Sequence, residues 1–205
     1  SEGGTTPTGS FTGSFTGSIE GSITGSFTGS AEASYIQFQT ESQSQPVEGL
    51  LSWNTQDGTL DLGLLGGNVT LQIGQEQVAR VVNKTGANLL ESEYRAVKVS
   101  GSQGGRLAVN FAQADSDFNS TTTLGIVTEN INNNNEGFVT TFGLVRGINT
   151  TGSNGETWSD GDVLYLSPNH PGHLTNVKPV SPSHLVTVGY VEYAHQTQGK
   201  IFVNY

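Results

Sequence analysis

A four-residue repeat over residues 9–30 limits what this part of the chain can fold into. Its units read GSFT, GSFT, GSIE, GSIT, GSFT and GS. Collagen needs glycine at every third position, and a helix would lose roughly 1 kcal/mol for each glycine relative to alanine. In an extended strand, side chains instead alternate between two faces. The repeat therefore predicts a strand of roughly 65–70 Å, at about 3.3 Å per residue.

One face of this predicted strand combines bulky apolar side chains with glycines, and the other carries small polar side chains. A single chain cannot fill the notches at its own glycines, but parallel copies can, with each apolar side chain beside a neighbour's glycine. We therefore expect a thin stalk built as a parallel homotrimer. The apolar side chains at its interface are Phe11, Phe15, Ile19, Ile23 and Phe27.

Composition favours an all-β chain and argues against several kinds of partner. Val, Ile, Phe, Tyr and Thr recur in short runs, which is typical of strands. The net charge is −10, with only 8 Lys and Arg residues, whereas nucleic-acid binding depends on clustered basic side chains. The apolar runs are too short to cross a bilayer, and without cysteine no disulfide or thiolate site can form. We expect no nucleic-acid partner, no membrane insertion, no cofactor and no metal.

The chain divides into three predicted parts: a lead and stalk over 1–34, a β neck over 35–82 and a globular β domain over 83–205. The neck has turn signals at Asp57-Gly58 and Gly66-Gly67. Between and after them, apolar residues alternate as in strands that are too short for a core of their own. Three copies around an axis could bury these residues, although an ordinary hairpin packed on the next domain is the alternative. The predicted neck interface comprises Leu60, Leu62, Val69, Leu71 and Ile73.

The last part contains several strand-like runs separated by polar turns, a pattern typical of a β-sandwich or barrel. The final two runs, over 186–194 and 200–205, predict an antiparallel hairpin. The runs are YRAVKVS, RLAVNFAQA, TTLGIVTE, GFVTTFGLV, DVLYLS, HLVTVGYVEYA and KIFVNY.

Three segments resemble tail-fibre and related virion-fibre proteins of tailed bacteriophages, and the GSFT-type repeat in particular resembles fibres from phages of marine bacteria, including cyanophages. They are the GSFT-type repeat, WNTQDGTLDLGLLGGNVTLQIGQEQ and GFVTTFGLVRGINTTGSNGETWSDGDVLYLSPNHPGHLTNVKP. The resemblance implies an intertwined homotrimer in the virion, an extracellular appendage that contacts other virion proteins and attaches to a host surface glycan or protein. It also implies a chain that continues toward a C-terminal tip.

The best local candidate for receptor contact is the loop with Trp158 and Asp160, because an aromatic ring beside a carboxylate suits a sugar. The carboxylates of Asp160 and Asp162 could also hold Ca²⁺, but this segment lacks the full calcium-loop pattern. A turn in which both aspartates accept backbone N–H groups is the interpretation we favour. Asp115 and Asp117 present the same alternatives. A further possibility is that Trp158 is an anchor buried between subunits.

The sequence gives less indication of a catalytic or metal site than of a receptor contact. His170 and His173 flank a Pro-Gly turn, but a metal site needs at least one or two more ligands. Paired acids could make a glycan-cleaving spike, yet no spacing singles out a pair among Glu91, Glu93, Glu129 and Glu136, and no catalytic motif is present. We therefore expect a non-enzymatic tail fibre. The alternatives are a head fibre or capsid decoration protein, or a non-viral filament or adhesin subunit.

Overall fold

A computed structural model describes residues 34–40 and 47–205. The chain forms two units, Ser1–Gln37 and Phe38–Tyr205. Residues 34–37, the described part of the first unit, are neither helical nor in a strand. The predicted stalk and its interface residues lie outside the described residues.

The first sheet of the second unit has three antiparallel strands in the order β1-β2-β3, and we call it the neck sheet. The predicted turn glycines Gly58, Gly66 and Gly67 have φ of 69°, 88° and 68°, in the left-handed region that favours glycine. The two turns predicted from the sequence are thereby confirmed. The strands are β1 (Leu51–Asn54), β2 (Thr59–Gly63) and β3 (Thr70–Gln72).

Five of the following strands close into a barrel. They run in the order β8-β4-β6-β5-β7, and β7 pairs back onto β8. All pairs are antiparallel except β4 with β6, which is parallel. The strands are β4 (Gln77–Asn83), β5 (Ala96–Gln103), β6 (Arg106–Phe111), β7 (Thr123–Val127) and β8 (Glu136–Ile148).

Each barrel strand contributes one fully buried valine to a single apolar cluster. Leu89 and Ile131, which pair with each other in an isolated bridge, belong to the same cluster. One inward side chain per strand is the expected filling of a small barrel, since successive side chains point to opposite faces. The valines are Val81, Val97, Val109, Val127 and Val139.

The second half of β8 leaves the barrel and begins an antiparallel extension in the order β8-β12-β11-β9-β10. A second core includes residues of this extension and Ala96 and Ile126 on the barrel strands. Ala96 and Val97 belong to different cores, so both faces of β5 are buried. The remaining elements are a 3-10 turn (Glu91–Glu93), α1 (Asp117–Ser120), β9 (Val163–Leu166), β10 (Leu174–Thr175), β11 (Thr187–Tyr193) and β12 (Gly199–Val203).

The prediction of an all-β chain with a compact barrel or sandwich is confirmed for the described residues. Every strand-like run after residue 83 contains a strand, and the final pair forms the predicted hairpin, β11 with β12. The boundary placed after residue 82 falls inside β4, which pairs with β6 and β8. The structure therefore places the end of the neck between β3 and β4. We call the part from β4 to the C-terminus the head.

Candidate functional surfaces

The neck sheet presents an apolar face outward. Leu62 lies between its cross-strand partners Leu51 and Leu71, and Trp53 is opposite Leu60. Leu51 is 41% exposed and Ile73 is 42% exposed, while the others are half-buried. Partly exposed apolar faces of this kind are found at contacts between proteins. We call it the apolar neck face: Leu51, Trp53, Leu60, Leu62, Leu71 and Ile73.

The opposite face of the neck sheet is polar and faces the head. Gln72 is fully buried, and its Oε1 accepts a hydrogen bond of 2.9 Å from Arg146 Nη2 on β8. The same guanidinium forms an ion pair with Glu76, and Glu76 Oε2 accepts the backbone N–H of Gln72 at 2.9 Å. Asn54 Nδ2 donates to Asp61 Oδ2 at 3.0 Å, next to this group. The neck sheet is thus attached to its own head through charged and amide groups.

Burial changes the acidity of two carboxyl groups in this polar junction. Desolvation raises the pKa of Asp61, against the hydrogen bond from Asn54 and the positive charge of Arg146. Desolvation likewise raises the pKa of Glu76, again opposed by Arg146. Among the described residues, the buried Oδ1 of Asp61 has no hydrogen-bond partner. Desolvation in the junction therefore raises the free energy of the ionised form of these two carboxyl groups.

Four of the five predicted neck interface residues lie on the apolar neck face: Leu60, Leu62, Leu71 and Ile73. Val69 does not, because it is buried in its own chain and lines a recess with Leu144 and Val145 of β8. The prediction that Val69 contacts another copy is wrong for this reason. The alternative of a hairpin packed on the next domain describes the polar face, which contacts the head.

The prediction that Trp158 stacks on a sugar is also wrong. Its ring is only 2% exposed, packs edge-to-face on Tyr94 with centroids 6.2 Å apart, and belongs to the second core. The indole Nε1 donates to Glu156 Oε2 at 3.1 Å. Because the burial occurs within one chain, Trp158 is not exposed for an anchoring contact between subunits either.

The turn interpretation of the Asp160–Asp162 segment is confirmed. Asp160 Oδ1 accepts the backbone N–H of Ala194 at 2.6 Å. Asp162 Oδ2 accepts the backbone N–H of Ser159 and the side-chain amide of Asn176, both at 2.9 Å. These bonds lower the pKa of Asp162. Both carboxylates therefore tie the loop to neighbouring strands.

An open cleft of about 460 Å³ lies beside this loop. Glu156 lines it, but both of its oxygens are occupied, by Trp158 Nε1, by Thr175 Oγ1 at 2.6 Å and by the Asn176 N–H at 3.1 Å. Among the described residues, four polar side chains of the cleft have no hydrogen-bond or ion-pair partner: Asn169, His170, Lys178 and Ser183. Pro168, Val177, Pro179 and Val180 supply apolar walls. This mixture of free polar and apolar groups suits a hydroxyl-rich ligand.

The sequence predicts a contact at Trp158 and Asp160 but not at this cleft, although residues that line the cleft follow them closely in the chain. The available signal was the long polar segment SPNHPGHLTNVKPVSPSH, which contains most of the lining residues. Its composition predicts a loop, but the grouping of its side chains around one cleft depends on the fold.

Three of the four acidic residues considered for catalysis form ion pairs or hydrogen bonds within the chain. Glu136 forms ion pairs with Arg80 at 2.7 Å and Arg106 at 3.5 Å, and Glu93 pairs with Arg95 at 3.1 Å. Glu129 is buried and accepts the backbone N–H of Phe138 at 2.7 Å. Burial, and then the charge of Glu129, raise the pKa of Glu91.

The two histidines of the Pro-Gly turn lie together, with ring centroids 5.7 Å apart. His173 Nδ1 contacts Ser153 Oγ at 3.3 Å and Asn154 Nδ2 at 3.2 Å. Within residues 34–40 and 47–205, no group of three or more His, Asp or Glu side chains could hold a metal ion. The same residues include no helix long and apolar enough to cross a membrane.

Compared with known proteins, the chain matches no family model, no curated protein and no solved structure.

Proposed function

We propose that the chain is a subunit of a homotrimeric, non-enzymatic virion fibre of a tailed bacteriophage, and that the fibre contributes to host attachment. The observation that carries this proposal is the apolar neck face, which one chain leaves partly exposed. Three parallel copies that meet around an axis would bury this face. The GSFT-type repeat on its N-terminal side predicts the same parallel arrangement from its sequence pattern. The resemblance to virion-fibre proteins supports the same assembly and its location on the outside of the particle.

The proposed partners are other copies of the chain, neighbouring virion proteins and a glycan or protein of the host surface. Recognition is assigned to the head, because strands hold its long polar loops in place while the loops can vary in shape. Within the head, the cleft with Asn169, His170, Lys178 and Ser183 replaces Trp158 as the proposed contact. The free polar groups there are available to hydroxyls of a sugar.

Assembly is tested by substituting Leu62 with Asp and measuring the mass of the full chain by sedimentation velocity. The unsubstituted chain is expected to sediment as three copies of 21.6 kDa. Leu62→Asp puts a charge in the centre of the apolar neck face and should yield a folded monomer. Leu65→Asp is the matched control, since Leu65 is exposed in the turn and not in a strand, and it should remain trimeric. A monomeric unsubstituted chain at micromolar concentration contradicts the proposal, and a dimer contradicts the trimer.

Attachment is tested with the double substitution of Lys178 and His170 by Ala in the assembled fibre. We expect reduced adsorption to host cells with unchanged mass and thermal stability. Lys84→Ala removes one positive charge at a half-buried site outside the cleft, where Lys84 Nζ donates to Asn134 Oδ1 at 2.7 Å, and should adsorb normally. Equal adsorption of both variants would place recognition elsewhere, and the position of the fibre on imaged virions separates a tail fibre from a head fibre.

A further inference from the structure

A buried lysine of the barrel holds its amine against the side-chain amide of an asparagine. Lys98 lies on β5 and is only 4% exposed. Its Nζ donates to Asn119 Oδ1 at 2.7 Å and to the backbone carbonyl of Phe118 at 2.9 Å. Because a C=O bond is about 1.23 Å long, Asn119 Cγ lies no more than about 3.9 Å from Nζ. An amine nitrogen and an amide carbon are therefore close to the separation at which they can react.

A carboxylate contacts the nitrogen of the same amide. Asn119 Nδ2 donates to Asp115 Oδ1 at 2.8 Å. This hydrogen bond lowers the pKa of Asp115, so the carboxyl group is ionised at neutral pH and can accept a proton. The amide of Asn119 is thus placed between an amine and a proton acceptor.

The surroundings of Lys98 favour the neutral form of its amine more than water does. Buried lysines are usually paired with a carboxylate, yet within the described residues Lys98 forms no ion pair. Burial lowers the pKa of the Lys98 amine, and the charge of Asp115 opposes this change. The ring of Phe118, a residue that is 80% exposed, covers the amine with its centre 3.7 Å from Nζ. A neutral, water-shielded lysine amine is a nucleophile.

We propose that Lys98 and Asn119 become joined by an isopeptide bond between Nζ and Cγ, with Asp115 carrying the proton. The lone pair of the neutral amine forms the bond to Cγ, while an electron pair of the C=O bond moves onto Oδ1. One proton of Nζ passes to Asp115 and from there to Nδ2. The Cγ–Nδ2 bond then breaks, the C=O bond forms again and the nitrogen leaves as ammonia. A primary amine and a primary amide thus give a secondary amide and ammonia, without an oxidant or any other reactant.

The bond lies within one chain and connects β5 to α1. It goes beyond the proposed function, because it forms whether or not the copies assemble. The sequence has no cysteine and therefore no disulfide. An isopeptide bond between residues 98 and 119 closes a loop in the unfolded chain and restricts it as a disulfide would.

The mass of the full chain tests the bond. After several days in the folded state at neutral pH, the unsubstituted chain should be about 17 Da lighter than its sequence mass, because one ammonia has left. Trypsin should then leave residues 96–106 joined to residues 107–146, since it does not cleave after an acylated lysine. Lys98→Met keeps a long unbranched side chain but has no amine, so this variant should show its full sequence mass.

The role of Asp115 is tested by the rate at which the light form appears. Asp115→Asn keeps an oxygen that can accept the hydrogen bond from Asn119 but cannot carry the proton, and it should slow the reaction about a hundredfold. Asp117→Asn is the matched control, because it changes a neighbouring carboxylate whose side chain is 84% exposed, and it should react at the normal rate.

An unsubstituted chain that keeps its full sequence mass overturns the proposal. A loss of ammonia that persists in Lys98→Met also overturns it, because Asn119 would then react with its own backbone instead of with the lysine. If Asp115→Asn reacts as fast as the unsubstituted chain, the assignment of Asp115 as the proton carrier is wrong.

Discussion

The neck sheet and the barrel bury opposite kinds of strand face. The barrel follows the usual arrangement, with five valines inside and polar side chains such as Arg80 and Arg106 outside. The neck sheet turns Gln72 and Asp61 toward its own head and leaves Leu51 and Ile73 exposed. A single chain buries the apolar side chains of the barrel completely but those of the neck sheet only in part. The head therefore has apolar cores of its own, whereas the neck sheet keeps part of an apolar face exposed, which agrees with the proposed assembly.

The chain has two tryptophans, and one lies in each of these regions. Trp158 is in the core of the head, and Trp53 lies on the apolar neck face. Each can be removed separately, so each region can be monitored by the fluorescence of the remaining indole.

The largest effect is expected from Trp158→Ala. Removing this buried ring should lower the free energy of unfolding by about 3–5 kcal/mol, because a large cavity remains in the core. Trp53→Ala should leave the stability of one chain nearly unchanged and instead weaken association. Urea unfolding followed by circular dichroism, with sedimentation in parallel, checks both. If Trp53→Ala destabilised the monomer as much as Trp158→Ala, the neck face would be part of the fold of a single chain.

A second prediction concerns the polar junction between the regions. Arg146→Ala leaves Glu76, whose side chain is 4% exposed, without its cation and should cost about 2–3 kcal/mol. Arg106→Ala breaks a solvent-exposed pair with Glu136 and should cost at most about 1 kcal/mol. Thermal unfolding measures both losses. Combining Arg146→Met with Glu76→Gln should recover most of the stability, and failure to do so would mean that Arg146 acts through contacts other than Glu76.

Much of the head could be predicted from the sequence, because its strands alternate apolar and polar residues and are separated by clear turns. The hairpin of β11 and β12 is local, and GFVTTFGLV identifies β8. The closure of β7 onto β8 and the parallel pairing of β4 with β6 could not be predicted, since they join segments far apart in the chain. For the same reason β4 was assigned to the neck.

The candidate surfaces were predictable only in part. The alternation of Leu60 and Leu62 shows that a sheet face is apolar, but not whether that face points toward the head or away from it. Here the burial of Gln72 against Arg146 decides the orientation, and it depends on a contact across 74 positions in the chain. Trp158 was misjudged because an aromatic residue in a polar loop segment gives no sign of its burial, which Tyr94 from a distant part of the chain provides.

The smallest expected effect is a pH dependence of opposite sign in the two regions. In the neck junction, desolvation raises the pKa of Asp61 above its ordinary value of 3.8, so the folded state binds a proton more readily than the unfolded state. The resulting stability is present below that value and is lost as pH rises through the folded pKa. In the head, hydrogen bonds from Ser159 and Asn176 lower the pKa of Asp162. The contribution of Asp162 to the stability of the fold is present above its ordinary pKa of 3.8 and is lost as pH falls through the lowered pKa.

Asn substitutions should therefore separate the two regions when melting temperatures are measured from about pH 3 to pH 7. Relative to the unsubstituted chain, Asp61→Asn should become more stable as pH rises, because it no longer carries a desolvated charge. Asp162→Asn should become less stable over the same range, because it lacks the carboxylate that the turn stabilises. Glu192→Gln removes an exposed carboxylate that has no ion pair among the described residues, so it is the control and should follow the unsubstituted chain closely. If the pH profiles of Asp61→Asn and Asp162→Asn ran parallel, the contrast would be wrong. In that case the neck junction would not disfavour ionised Asp61 while the head favours ionised Asp162.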